Sequence, residues 1–311
     1  MKHLFTGKKI VFITIVSSLL FVIGCGNASN NGENTEEDTR QIKTELGEVK
    51  VPKSPKRVIV QYITGDVLAL GIEPIGMSEV YDSAAYEDKV KDVKDLGQWA
   101  EWDEEEMMDL DPDLILTIDK ATYERFSKIA PTVYVPYGEM TTTERVTFIG
   151  DVLNKSSQAE KVLKEYNDNI IDSQKKLKDV GFDQSTVSIF EGGLKEMMVI
   201  GQKFGTGLVA YDNLKLIAPE KIQKEVLDKD EFTVSLSLEV LPEYAGDYII
   251  RNTYDGMDNM NDSAIWKALP AIENKHLIEI PFGLSYYTDI LSANAQIDFI
   301  RDQLIEKATT N

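Results

Sequence analysis

The sequence predicts an α/β protein of two lobes, each built on a central, mostly parallel sheet, joined by one long interlobe helix. Three observations carry this expectation. Short β-branched runs alternate with helical patterns along the chain, an order that gives parallel or mixed sheets with right-handed crossovers. Most of the runs are continuously apolar, so both faces of each strand are expected to be buried. Residues 156–180, SSQAEKVLKEYNDNIIDSQKKLKDV, hold a helical pattern with no proline or glycine.

The first 24 residues are read apart from the lobes. MKHLFTGKK carries three lysines and no acid, and residues 10–24 are almost wholly apolar. A basic start, a short apolar core and small residues at its end form a secretory signal. The apolar run is short for a membrane span, which takes about 20 residues. Val22-Ile23-Gly24-Cys25 resembles the lipobox of bacterial lipoproteins. That resemblance implies cleavage before Cys25 and lipidation of its sulfur. Residues 25–49 are then read as the lipidated cysteine and a flexible tether, polar and with little to bury.

Residues 50–155 form the expected N-terminal lobe. RVIVQY (57–62) precedes a helix through Asp66, Leu68 and Leu70. DLILTI (113–118) precedes ATYERFSKIA, and TVYVP (132–136) precedes a helix near Thr143–Leu153. The interlobe helix follows over 156–180. At 1.5 Å per residue, 25 residues span about 37 Å, roughly one small lobe. Residues 181–311 form the C-terminal lobe, with strands at TVSIFEG (186–192), DYIIRN (247–252) and HLIEIP (276–281).

Composition narrows the function. The formal charge is −20, and removing residues 1–24, with their three lysines, takes it to −23. Nucleic acid is therefore not an expected partner, because phosphate neutralisation needs a basic surface. Cys25 is the only cysteine and His276 the only histidine besides His3. Disulfides and a protein-built zinc or copper site are not expected. The sequence has no G-x-S-x-G, Walker or G-x-G-x-x-G motif after residue 25. His276 reads as a turn residue before a strand.

In open α/β sheets, ligands bind beyond the carboxyl ends of the strands. That rule picks out Tyr62 and Thr64, Tyr123 and Arg125, Tyr137, Arg251 and Tyr254, and Ser285, Tyr286 and Tyr287. Aromatics also build cores, so the clustering at strand ends is the signal, not any single ring. Trp99 and Trp102, in GQWAEWDEEE, either face a ligand or anchor their own loop. Asp103 can cap a helix, with Glu106 completing a capping box.

PKRVIV, LGQW…DLDPDLILT, KIAPTVYVPY and YAGDYII, together with the lipobox, resemble the iron-siderophore binding lipoproteins of Gram-positive ABC importers. VSIFEGGLKEMMVIGQKFGTGL is similar to the ferric hydroxamate receptors among them. The resemblance runs from about residue 50 to the end. It implies a monomeric, non-enzymatic receptor, lipid-anchored on the extracellular face of the membrane. The receptor captures an iron(III)–siderophore complex and delivers it to an ABC permease and its ATPase. Iron is then held by the siderophore, with no protein metal ligand and no cofactor. The family's binding positions map to Met198, Phe204 and Thr206, where the relatives carry tyrosine, tryptophan and arginine, and to Tyr286 and Tyr287. Its permease-docking glutamates map to Glu105 and Glu239. With Tyr62, Trp99, Trp102, Tyr123, Arg125 and Arg251 these complete the expected binding set. The chain has six arginines, and only Arg125 and Arg251 fall near the expected cleft. A hydroxamate or mixed citrate-hydroxamate chelate fits so few cations better than a triply charged catecholate. Cobalamin or haem, with Tyr286 as a haem ligand, is the alternative cargo. An extracellular lipoprotein hydrolase is the alternative of another class.

Overall fold

A computed structural model describes residues 38–310. The signal segment and Cys25 lie outside the described residues. The chain enters through an antiparallel hairpin, β1 (Thr39–Thr44) and β2 (Gly47–Pro52), paired from Thr39↔Pro52 to Thr44↔Gly47. Its turn needs Gly47, whose φ is +116°, a region that L side chains avoid. Ile42 and Val51 are buried in the main core. Arg40 pairs with Asp151 at 3.1 Å and Glu45 with Lys120 at 2.5 Å. The expected tether over 25–49 is thus corrected at its end, since residues 39–49 are folded onto the lobe. The strands carry one charge or polar group at almost every other position, which in sequence looks like a solvated linker.

The N-terminal sheet has the order β5-β4-β3-β6-β7, with every neighbouring pair parallel. Its strands are β3 (Val58–Val60), β4 (Gly76–Met77), β5 (Lys94–Asp95), β6 (Leu114–Thr117) and β7 (Thr132–Tyr134). Helices α1 (Thr64–Ala69), α2 (Glu104–Asp109), α3 (Lys120–Phe126) and α4 (Thr142–Val152) flank it. Alternate residues of the strands feed opposite faces. Val58, Val60, Leu114 and Leu116 join the main core, while Ile59 and Ile115 join a second cluster with Trp102, Met107 and Phe126. Caps fix where the helices start. Thr141 and Glu144 form a reciprocal capping box on α4. On α2 the Asp103 carboxylate accepts from the Glu105 amide at 2.7 Å, but Glu106 reaches Lys94 at 3.4 Å instead of closing a box.

The C-terminal sheet has the order β10-β9-β8-β11-β12. Its strands are β8 (Val187–Gly192), β9 (Met197–Ile200), β10 (Thr233–Leu236), β11 (Tyr248–Thr253) and β12 (Leu277–Pro281). β8, β11 and β12 are parallel, while β9 and β10 run antiparallel at one edge.

Helix α5 (Ser156–Asp179) follows the last strand and helix of the first lobe and leads into β8. Ala159, Val162, Leu163, Tyr166, Ser173 and Leu177 are its buried stripe, at the i, i+3, i+4, i+7 spacing of an amphipathic helix. Lys164–Asp168, Lys175–Asp179 and Asp172–Lys176 pair one turn apart on the outer side, worth about 0.3–0.5 kcal/mol each. It is not the only brace. The C-terminal helix, Ile290–Thr309, packs on α5, on the π-helical turn Leu208–Asn213 of the second lobe, and on α1 of the first. Residues 290–309 therefore serve both lobes.

The contact with α1 is close. Asp289 caps the C-terminal helix by accepting from the Ser292 amide at 3.0 Å and its hydroxyl at 2.8 Å. A Cβ at Gly65 would lie 1.7 Å from Asp289 Oδ1. Gly65→Ala is expected to lower stability by about 1–3 kcal/mol, as overpacking does, although alanine favours helices over glycine. Gly138→Ala, where no atom lies within 4 Å, should stay within about 0.5 kcal/mol of the parent. Urea unfolding of both variants checks this, and equal midpoints would show that the contact carries no strain.

Candidate functional site

The carboxyl ends of both sheets meet at a cluster of aromatic rings. Tyr62 follows β3 with φ +67°, an unusual backbone for a bulky residue and one that persists only where its surroundings hold it. The Ser78 hydroxyl accepts from its amide at 3.0 Å. Its ring lies 5.0 Å from Tyr137, 5.8 Å from Tyr286 and 5.8 Å from Tyr287. Tyr286 also meets Tyr81 at 5.1 Å, Phe282 at 5.1 Å and Phe204 at 5.5 Å. Many of these pairs are edge-to-face, the favoured geometry for ring quadrupoles. Tyr62, Tyr81 and Tyr137 come from the first lobe, and Phe204, Phe282, Tyr286 and Tyr287 from the second.

The cluster has a cavity on each side. A cavity of about 470 Å³ opens between Tyr137 and Arg145 of the first lobe, Tyr166 and Asn167 of α5, and Lys203, Phe204 and Phe232 of the second. A smaller cavity of about 140 Å³ lies beyond Tyr62 and Tyr286, beside Trp99. The Gln61 side chain positions Trp99 by donating to its carbonyl at 2.7 Å, while accepting from the Thr117 hydroxyl and the Ile118 amide at 2.5 and 3.0 Å.

A buried ion network underlies the rings. Arg145 Nε donates to Asp66 at 2.6 Å, and its terminal nitrogen donates to the Thr288 carbonyl at 2.8 Å. The other Asp66 oxygen accepts from the Ile290 amide at 2.8 Å. Arg145 lies 5.2 Å from the Tyr137 ring, and the Tyr137 hydroxyl is bonded to Thr288. Burial, and then the Asp66 charge, push the Asp289 carboxyl up to about 7. Burial likewise holds the phenols of Tyr62 and Tyr287 above their usual value and pushes Tyr286 up to about 12. At neutral pH the rings are hydroxyl donors, not phenolates. Lys203, at the edge of the large cavity, is paired with Asp230 and lies 5.6 Å from the Phe232 ring.

A sequence profile described as periplasmic binding protein matches residues 59–284. The chain belongs to the periplasmic binding protein family. It is 32% identical to the iron(3+)-hydroxamate-binding protein YxeB of Bacillus subtilis, covering 98% of this chain and 99% of that one. It is 27% identical to the probable siderophore-binding lipoprotein YfiY of B. subtilis, covering 88% of this chain and 90% of that one. Among solved structures, an FhuD fold-family periplasmic binding protein component of a ferrichrome ABC transporter from B. subtilis matches with a TM-score of 0.77 and 30% identity. That match covers 85% of this chain and 100% of that one.

In this periplasmic binding protein the residues singled out from sequence divide into groups. Tyr62, Phe204, Tyr286, Tyr287 and Trp99 come together around the aromatic cluster. Thr206 is buried behind it, donating to Asn252 at 3.1 Å. Met198 is half-buried in β9 and lines neither cavity. Trp102 is a core residue, stacked 5.8 Å from Phe126 with its indole N–H on the Gly97 carbonyl. Tyr123 lines neither cavity, and Arg125 is paired with Glu104 at 2.6 Å on the outer face.

Arg251 is not brought to the cluster. It is buried and holds the Gly192 and Asp258 carbonyls at 3.0 and 3.2 Å, beside a separate cavity of about 320 Å³. The reason is strand alternation. Asn252 carries the β11 side chain facing Thr206 and Glu191, so Arg251 faces the other way. His276 precedes β12, at the end of the sheet away from the rings, and stacks 4.1 Å from Tyr248. Tyr81, Arg145, Lys203 and Asp289 were not singled out. Tyr81 follows a two-residue strand that leaves no periodic signal, and Arg145 acquires its meaning only from Asp66 and Thr288, 79 and 143 residues away, and Asp289 only from the first lobe it packs on.

Two predictions test the ion network. Arg145→Met strands a buried carboxylate and should cost about 3–5 kcal/mol, read as a loss of urea midpoint. Asp289→Asn keeps the cap but removes a proton site. Because the folded carboxyl titrates near 7 rather than 3.8, its stabilising effect is complete below about pH 4 and is lost as pH rises through 7. Between pH 5 and 8 the parent should therefore lose more stability than Asp289→Asn, and parallel curves would contradict the shift.

Proposed function

We propose that this chain is the extracellular, membrane-anchored substrate-binding protein of an ABC importer, which captures an iron(III)–siderophore complex and hands it to the permease. The observation that carries the proposal is the interlobe cleft. Its larger cavity, about 470 Å³, is within the usual range for small-molecule sites. Its wall combines rings and hydroxyls with three acids, Glu139, Asp212 and Asp230, and its two cations already have carboxylate partners, Arg145 with Asp66 and Lys203 with Asp230. Such a wall suits a ferric trihydroxamate, close to neutral, and of the two chelate classes expected it favours the hydroxamate over the mixed citrate type. A triply charged catecholate would find no unmatched positive charge there. The likeness to a relative named for iron(3+)-hydroxamate binding supports the same choice.

Binding, not catalysis, is the role of the site. No group of three or more His, Cys, Asp or Glu side chains able to hold a metal ion occurs among the described residues. The iron is proposed to arrive already caged, with the siderophore supplying its ligands. The anchor is proposed to be a lipid on Cys25 after removal of residues 1–24, supported by the lipobox and by the likeness to a relative named as a lipoprotein. Glu105 and Glu239 are exposed, one on each lobe, and are proposed to meet basic residues of the permease. The receptor is proposed to act as a monomer.

Titration with ferric ferrichrome, ferrioxamine, schizokinen, citrate and catecholate chelates, followed by tyrosine and tryptophan quenching, tests the reading. Hydroxamates should bind at or below micromolar concentration, and Phe204→Ala, which removes a ring from the large cavity, should weaken them by about tenfold or more, the range for losing an aromatic anchor. Silence across the panel would sink the proposal. Glu105→Ala with Glu239→Ala should leave soluble binding intact and impair uptake by cells. Loss of soluble binding in that pair would remove the docking role.

A further inference from the structure

The small cavity of about 140 Å³ has a chemistry of its own. Tyr62, Tyr81, Trp99, Tyr286 and Tyr287 line it, and Glu79 is its only charged residue. No lysine or arginine lines it. It is too small for a whole ferric chelate, since pockets for drug-sized ligands begin near about 300 Å³. A ring-lined recess closed by one carboxylate is the arrangement that recognises alkylammonium groups, through the negative faces of aromatic rings. Burial keeps the Tyr81 and Tyr286 phenols protonated, and the Glu79 charge acts in the same direction.

The recess is one ring away from the main cavity. Tyr62 is 5.0 Å from Tyr137, and Tyr286 is 5.5 Å from Phe204. Tyr137 and Phe204 both line the larger space. A chelate resting on that wall can pass a short alkylamine arm over or between the rings into the recess. The frame around it is fixed. Glu79 is bonded through its amide to the Gly97 carbonyl at 3.0 Å, and the Tyr287 hydroxyl bonds the Tyr81 amide at 3.1 Å. Gln61 holds Trp99 from behind.

We propose that this recess is an ammonium-binding subsite, formed by Tyr62, Tyr81, Trp99, Tyr286, Tyr287 and Glu79, that selects ferric chelates carrying a pendant protonated or quaternary amine. The proposal rests on the siderophore reading and adds to it a preference for a pendant cation that acts at Glu79, apart from the acids Glu139, Asp212 and Asp230 of the large cavity. It makes the receptor discriminate among hydroxamates with the same iron cage.

The test compares ferric ferrioxamine B, which ends in an ammonium, with its N-acetylated form, which has the same iron centre and no charge. Tetramethylammonium chloride alone is the third arm, read by tryptophan quenching against matched sodium chloride. The amine form should bind about tenfold tighter than the acetylated form to the parent protein, the scale of a desolvated cation–π contact. Glu79→Gln should erase that advantage while leaving the acetylated chelate bound as before. Tetramethylammonium should quench in the parent and not in Glu79→Gln, which marks the recess as a site for free ammonium as well. Equal binding of both chelates by the parent overturns the subsite and leaves siderophore capture standing. If neither chelate binds, the capture reading fails, and the proposed selection among chelates falls with it. A tetramethylammonium response would then keep only the recess as an ammonium site.

Discussion

The guanidinium of Arg145 is the point on which the two lobes agree. It comes from α4 and meets Asp66 from α1, both in the first lobe, and it reaches across to the Thr288 carbonyl at the start of the C-terminal helix. Asp66 in turn accepts from the Ile290 amide. Both side chains of the ion pair are almost completely buried, so neither charge can fall back on water if the geometry slips. Such a pair adds little net stability over apolar packing, but it penalises any arrangement that separates its members. The aromatic cluster lies directly above it. Tyr137 touches both the arginine and Thr288, and Tyr62, which meets Tyr286 and Tyr287, packs on Tyr137 at 5.0 Å.

This explains why the cleft can be both polar underneath and nearly neutral to a ligand. The strong charges are spent on each other below the rings. What faces the cavities is mainly a set of hydroxyls and ring surfaces with protonated phenols, with Glu79 in the small one and Glu139, Asp212 and Asp230 beside Lys203 in the large one. A site of this kind recognises the organic shell of a chelate by shape and a few donors, and long-range charge has only a small part in it.

The parts of the fold that were readable were those with repetition. RVIVQY, DLILTI, TVYVP, TVSIFEG, DYIIRN and HLIEIP announce strands because several adjacent β-branched residues are buried, and α5 announces itself through its stripe. The β1–β2 hairpin was not readable, because only Ile42, Val51 and Pro52 are buried and most of the rest are charged or polar. β4 and β5 have two residues each, too few for a period. At the site, Tyr62, Phe204, Tyr286 and Tyr287 were legible because they follow strands or sit in a recognisable segment. Arg251 also follows that rule but alternation turns it away. Asp66, Arg145 and Asp289 were illegible for a different reason. Each is an ordinary charged residue in its own segment, and only long-range closure makes them a network.

The C-terminal helix has a consequence for the order in which the molecule can be made. It covers α1 of the first lobe, and the Asp66–Ile290 bond closes a loop of 224 residues. Long-range contacts of that kind form late. The α1 side of the first lobe therefore stays uncovered during synthesis, and its buried carboxylate unmatched by the Ile290 amide, until residues 290–309 have left the ribosome.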